Sequence, residues 1–74
     1  MPDRTLRLSY PPSLLREPVL NRYMRRFELV VNILQANITM EEGWLDIRVT
    51  GDEEEIQRSI EWLEEEGLTV DKLD

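Results

Sequence analysis

Apolar and polar positions alternate over residues 5–10, with Leu6, Leu8 and Tyr10 on one side and Thr5, Arg7 and Ser9 on the other. That period of two is the mark of a half-buried strand, and Pro11-Pro12 ends it. Residues 13–17 form a connection, because the residue before Pro18 is pushed out of the helical region while Pro18 suits the first helical position. A helix is predicted over 18–28, with Leu20, Tyr23, Met24 and Phe27 at three- and four-residue spacings and Arg22, Arg25 and Arg26 on the opposite side.

Residues 30–40, VVNILQANITM, are the most apolar run and read as the second strand. A two-residue turn at Glu42-Gly43 sets Met40 opposite Leu45, Ile38 opposite Ile47 and Ala36 opposite Val49, so that apolar residues meet apolar ones on the third strand, 44–51. A three-residue loop would set Ile38 opposite Asp46. The chosen register turns Val30, Asn32 and Leu34 toward the helices and Ile33 and Trp44 toward the open face of the sheet. Asn32 is then the one residue the apolar pattern does not explain, since a buried amide must find partners or cost roughly 1–3 kcal/mol. The plain reading is an amide satisfied by nearby backbone.

Residues 52–66 read as a second helix, capped by Asp52 with Glu55 as capping-box partner. Ile56, Ile60 and Leu63 are its buried stripe, and Trp62, about 100° from Leu63, lies at the flank. Gly67 ends it, and residues 68–73 form a last short strand with Leu68 and Val70 inward. The order βαββαβ with right-handed crossovers gives an α+β, ferredoxin-like sandwich, a four-stranded antiparallel sheet with two helices on one face and strand order 4-1-3-2. One domain over residues 1–74 is expected. Its core is Leu6, Leu8, Leu20, Phe27, Leu34, Ile38, Ile47, Val49, Ile56, Ile60, Leu63 and Val70. The edge at 68–73 carries Asp71 and Lys72, which discourage stray pairing, whereas the edge at 30–40 has neither Lys nor Pro. A homodimer through that edge follows, with Val31, Ile33 and Gln35 at its interface.

Charge adds a division to this picture. The net charge of −7 arises from +3 over residues 1–40 and −10 over residues 41–74. Two solvated helix faces of opposite sign account for it, and the same division can orient a partner. With 74 residues the fold buries only about 60% of the surface its unfolded chain exposes. Cys and His are both absent, so no disulfide, zinc or iron–sulfur site is expected, and no cofactor. The start Met1-Pro2-Asp3-Arg4 lacks a secretory pattern, and no apolar run approaches the roughly 20 residues of a membrane span. A cytoplasmic location without membrane insertion is the expectation.

Catalysis is not expected. The available general bases are carboxylates on exposed helix faces, and Ser9, Ser13 and Ser59 have no base suggested nearby. Acylphosphatases share the predicted fold, but their phosphate-cradling loop is not matched by Pro11-Pro12-Ser13-Leu14-Leu15. RNA-recognition domains share it too and stack bases on aromatic residues of the open sheet face. The third strand offers only Trp44 there, and a pI near 4.5 opposes phosphate binding. No nucleic-acid partner is expected. The second helix begins among Asp52, Glu53, Glu54 and Glu55, which repel an anion.

Glu17-Pro18-Val19-Leu20, Arg25-Arg26-Phe27, Asn32-Ile33-Leu34, Thr50-Gly51, Ser59-Ile60-Glu61-Trp62-Leu63 and Val70 together resemble the NIL domain family. That family takes its name from the central triplet and occurs at the C-terminus of methionine-importer ATPases and beside ferredoxin modules. The likeness covers nearly the whole chain. It implies a regulatory module that dimerises, binds methionine near the motif strand and restrains transport. By that resemblance Asn32 is the candidate ligand contact, with Ile33 and Leu34 lining the strand. Two departures stand against a full transfer: residues 40–44 make a shorter hairpin than the importer members have, and no ATPase region or cysteine cluster is present. The regulated transporter ATPase is therefore expected to be a separate protein. The rival reading is a protein-interaction module that uses the open β-edge and binds no small ligand.

Overall fold

The computed structural model describes residues 1–74 and contains four strands and two helices: β1 (Asp3–Tyr10), α1 (Val19–Arg26), β2 (Val30–Ile38), β3 (Gly43–Thr50), α2 (Glu53–Glu66) and β4 (Thr69–Lys72), with a single 3-10 turn at Pro12–Leu14. All pairings are antiparallel and the sheet runs β2-β3-β1-β4, the ferredoxin-like order expected. Leu6 faces Ile47, Leu8 faces Leu45 and, on its other side, Val70. Those residues point toward the helices, where Val19, Tyr23, Ile56, Ile60, Leu63 and Leu68 complete a continuous core.

Local chemistry explains the element ends. Asp52 takes an extended conformation and its carboxylate accepts from the amides of Glu54 and Glu55, at 3.2 and 3.3 Å. The return half of the capping box is not made: Glu55 instead accepts from the Glu28 amide at 3.3 Å and from Arg58 at 2.8 Å, tying α2 to the segment before β2. At the far end Gly67 adopts φ 106°, and the Leu68 amide donates to Leu63 O at 3.1 Å while Leu68 is driven into the core. The first helix is shorter than expected. Pro18 lies just outside it as the capping residue, and Phe27 is already extended.

The structure corrects the hairpin. Its loop is the four residues 39–42, because the Thr39 amide donates to Glu42 O at 2.8 Å and the Thr39 hydroxyl accepts from the amides of Glu41 and Glu42. Ile38 therefore lies opposite Gly43 and Ala36 opposite Leu45, so neither Ile47 nor Val49 is their partner. A second irregularity follows, because the pairing shifts by one residue between Ile33 and Gln35, leaving Leu34 as the extra residue of a β-bulge. Before the bulge Val31 faces Val49, Ile33 faces Ile47 and Asn32 faces Arg48.

Val31 and Ile33 thus stand on the helix side and Asn32 on the open side, the reverse of the expected parity. Asn32 is exposed, and no buried side-chain polar atom of the chain is left without a hydrogen bond. Leu34 and Ile38 are not core residues, being 51% and 61% exposed. Val19, Tyr23 and Leu45 take their share of the interior.

Candidate ligand groove along the edge strand

The helix layer is too short to cover β2. Helix α1 spans eight residues and β2 nine, and the chain reaches α1 through Leu15 and Pro18, so the outer half of β2 overhangs. Ile33, Ala36 and Ile38 then form one wall of an open groove of about 210 Å³, facing Leu15, Val19 and Leu20. Tyr10 and Leu45 close its inner side. Gly43 lies opposite Ile38, and a Cβ there would sit 2.5 Å from Leu15 Cδ2, so a larger residue displaces the Leu15 side chain.

The groove is apolar with polar groups at its mouth. Glu17 and Asn21 lie along the α1 side, and Glu17 is 3.7 Å from Arg22. A second hollow of about 280 Å³ continues past Leu15 and Ile38 to Arg16 and Met40. Burial pushes the Tyr10 hydroxyl above its ordinary pKa, so the phenol stays neutral and can donate a hydrogen bond.

Of the residues singled out from the sequence, Ile33 lines the groove, whereas Asn32 and Leu34 do not. Asn32 points to the other face of the sheet, beside Arg48, and Leu34 sits on the bulge. The three lie together along one exposed edge without converging on one cavity. Val31 is partly buried against the core, and Gln35 faces the open side opposite Asp46. Leu15, Leu20 and Ala36 belong to the groove although periodicity marks them as ordinary core or loop.

A polar constellation occupies the opposite face. Asp46 is only 3% exposed although no helix covers it. Arg7 donates to it through Nε at 2.7 Å and Nη2 at 2.9 Å, and Gln35 Nε2 donates at 2.7 Å. The Arg7 guanidinium also lies 4.4 Å from the Trp44 ring centroid. The Arg7 and Gln35 hydrogen bonds hold the Asp46 carboxyl down to about 2, so it is ionised at neutral pH and too weak a base for proton transfer there. No group of acidic side chains in the chain is arranged to hold a metal ion. No helix is long and apolar enough to cross a membrane.

The NIL domain family model matches residues 4–72. The methionine import ATP-binding protein MetN of Helicobacter pylori (strain J99) is 41% identical over 63 residues, which is 80% of this chain and 19% of that protein. MetN 2 of Acinetobacter baylyi is 33% identical over 70 residues, 89% of this chain and 20% of that protein. MetN 3 of Bacillus cereus (strain ATCC 14579) is 32% identical over 77 residues, covering 97% and 23%. The chain thus spans about a fifth of the length of the curated relatives it matches. Among solved structures, the C-terminal domain of an ABC transporter ATP-binding protein from Enterococcus faecalis superposes with a TM-score of 0.83 at 23% identity, over 95% of this chain and 82% of that one. A match across almost every element, from Arg4 in β1 to Lys72 in β4, establishes that the chain belongs to the NIL domain family.

Proposed function

We propose that this domain is a cytoplasmic regulatory module that binds a small amino acid with an apolar side chain, methionine being the favoured candidate, and signals to a transporter ATPase. It acts by binding and not by catalysis. The observation that carries the reading is the open apolar groove beside β2. Its 210 Å³ falls below the roughly 300–1,000 Å³ of pockets for drug-sized ligands and suits one unbranched side chain. Relatives named for methionine import favour that chemistry. The apolar end of the ligand lies against Ile33, Ala36 and Ile38, and its polar end lies toward Glu17 and Asn21 on the α1 side.

Thermal unfolding with added ligand tests this. Methionine at 100 times its dissociation constant stabilises a folded protein by about 2.7 kcal/mol, and each kcal/mol raises the Tm of a domain this small by roughly 4–8 °C. Ala36→Phe fills the groove and is expected to remove the shift with the fold retained. Asn21→Ala is expected to weaken it, and Asn32→Ala, on the other face of the sheet, to leave it unchanged. A shift that survives Ala36→Phe places the ligand elsewhere. No shift with millimolar methionine, norleucine or leucine favours the second reading, an interaction module. The observation behind that alternative is an edge strand with Val30, Ile33, Leu34 and Ile38 all half exposed or more.

A further inference from the structure

Strand β2 contacts β3 in two successive registers. Up to Ile33 the partners follow one alignment, and from Gln35 onward they follow another, one residue out of step. Continuing the first alignment through the strand would place Leu34 opposite Asp46, Gln35 opposite Leu45 and Asn37 opposite Gly43. The amides of Gln35 and Asn37 would then point toward the groove, and Ala36 would leave its wall. The bulge costs β2 regular ladder bonds, so something must favour the shifted alignment over the smooth one.

We propose that Asp46, clamped by Arg7, is the positioning residue that selects the register of the outer half of β2 by requiring a donor opposite it, and thereby decides which side chains line the groove. Both carboxylate oxygens are engaged: Oδ1 accepts from Arg7 Nε, and Oδ2 accepts from Arg7 Nη2 and Gln35 Nε2. A hydrogen bond to an ionised carboxylate is roughly twice as strong as a neutral one. The carboxylate is almost wholly buried on a face with no helix above it, so the strand neighbour supplies both a donor and cover. Gln35 supplies both; Leu34 in its place supplies cover and no donor. The Arg7 side of the clamp is itself fixed by the Trp44 ring and by the position of Arg7 opposite Asp46 on β1. Exchange of one residue at this point reverses the facing of every residue from 35 to 38.

A rival determinant exists in the Thr39 loop, whose bonds to Glu41 and Glu42 also favour one alignment. The two are separated by exchanging neighbours within one chain, Leu34→Gln together with Gln35→Leu. Composition, charge and the Thr39 loop stay as they are, and only the position of the amide moves. Cross-strand backbone Overhauser contacts, read on labelled protein, link position 36 with 45 and 37 with 44 in the natural chain. The exchanged chain is expected to lose the bulge, linking 34 with 46 and 36 with 44. Retention of the 36–45 and 37–44 contacts overturns the proposal and assigns the register to the Thr39 loop. Should the exchanged chain fail to fold, Gln35→Leu alone is read in the same way. It is expected to speed amide hydrogen exchange over residues 35–38 at least tenfold relative to β1, and unchanged protection there overturns the proposal.

The consequence for ligand binding rests on the groove reading above, and methionine titration of both chains keeps the two apart. A register that moves in a protein whose natural form shows no response to methionine upholds the role of Asp46 and removes the ligand. A register that stays, with methionine still perturbing Ile33, Ala36 and Ile38, does the opposite.

Discussion

The Tyr23 hydroxyl and the Ser59 hydroxyl lie 2.9 Å apart, both wholly buried, and join α1 to α2 inside the core. Ser59 also donates to Ile56 O at 2.7 Å, so its oxygen is left as the acceptor for Tyr23. Burial is the larger influence on the phenol and raises its pKa, with the Ser59 bond working the other way. Ser59→Ala removes the only polar partner of a buried hydroxyl and is expected to cost about 1–3 kcal/mol. Tyr23→Phe leaves Ser59 with Ile56 O and is expected to cost less. Urea unfolding of the two variants checks the order; a larger loss for Tyr23→Phe contradicts it.

Both helices and three strands were legible because their signals are local. Leu6, Leu8 and Tyr10 alternate without interruption, Asp52 and Gly67 mark the ends of α2, and Ile56, Ile60 and Leu63 share one face. Strand β2 was legible in its place and extent but not in its faces, since reading them assumed one phase along nine residues and the bulge at Leu34 reverses that phase midway. No Gly marks the site. The signal that was present is nonlocal: a buried Asp46 on β3 needs a donor opposite it, and Gln35 is the nearest one with the right parity. The groove escaped for another reason. It exists because α1 is shorter than the strand it covers, and the spacing of Leu15, Leu20 and Ala36 does not reveal where a helix fails to reach.

Asp46 gives a pH dependence whose sign follows from its environment. Its pKa falls from 3.8 to about 2 on folding, chiefly through the hydrogen bonds from Arg7 and Gln35, so folding favours the ionised form. The stabilisation is complete above the ordinary value and is lost as pH falls from about 4 through about 2. The Tm difference between the natural protein and Asp46→Asn is expected to be constant from pH 6 to about 4 and to narrow toward pH 2. Glu55 is also lowered, first by Arg58, but it is present in both proteins and cancels in the difference. A gap that stays the same down to pH 2 contradicts the assignment.

Gly67 holds φ 106°, and a Cβ there would come within 3.0 Å of Leu14 Cδ1. Left-handed backbone costs a residue with a side chain roughly 1–2 kcal/mol, and the contact with Leu14 adds to it. Gly67→Ala is expected to lower Tm by about 4–8 °C for each kcal/mol lost. Leu63→Ala, which removes a fully buried side chain from α2, is expected to cost more, about 2–5 kcal/mol. Calorimetry of both variants ranks them. A smaller effect for Leu63→Ala would mean that α2 is held by its end and not by its stripe.

The two edges of the sheet predict which side self-associates. Strand β4 is four residues long and ends in Asp71 and Lys72, both exposed, a combination that discourages further pairing. Strand β2 is more than twice as long, carries no charged residue, and exposes Val30, Ile33, Leu34 and Ile38. An uncharged edge of that length in a small acidic domain is expected to be covered by a second copy, with Ile33 and Gln35 at the junction and Val31 beneath it. The bulge limits this pairing, since a ladder cannot run unbroken past Leu34, and confines the regular contact to one side of it. Sedimentation at micromolar concentration is expected to show a dimer. Ile33→Lys places a charge on the shared edge and is expected to give monomer, while Leu73→Lys, beyond β4, is expected to leave the dimer intact. A monomer in the unsubstituted protein, or a dimer lost through Leu73→Lys and kept through Ile33→Lys, removes β2 as the interface.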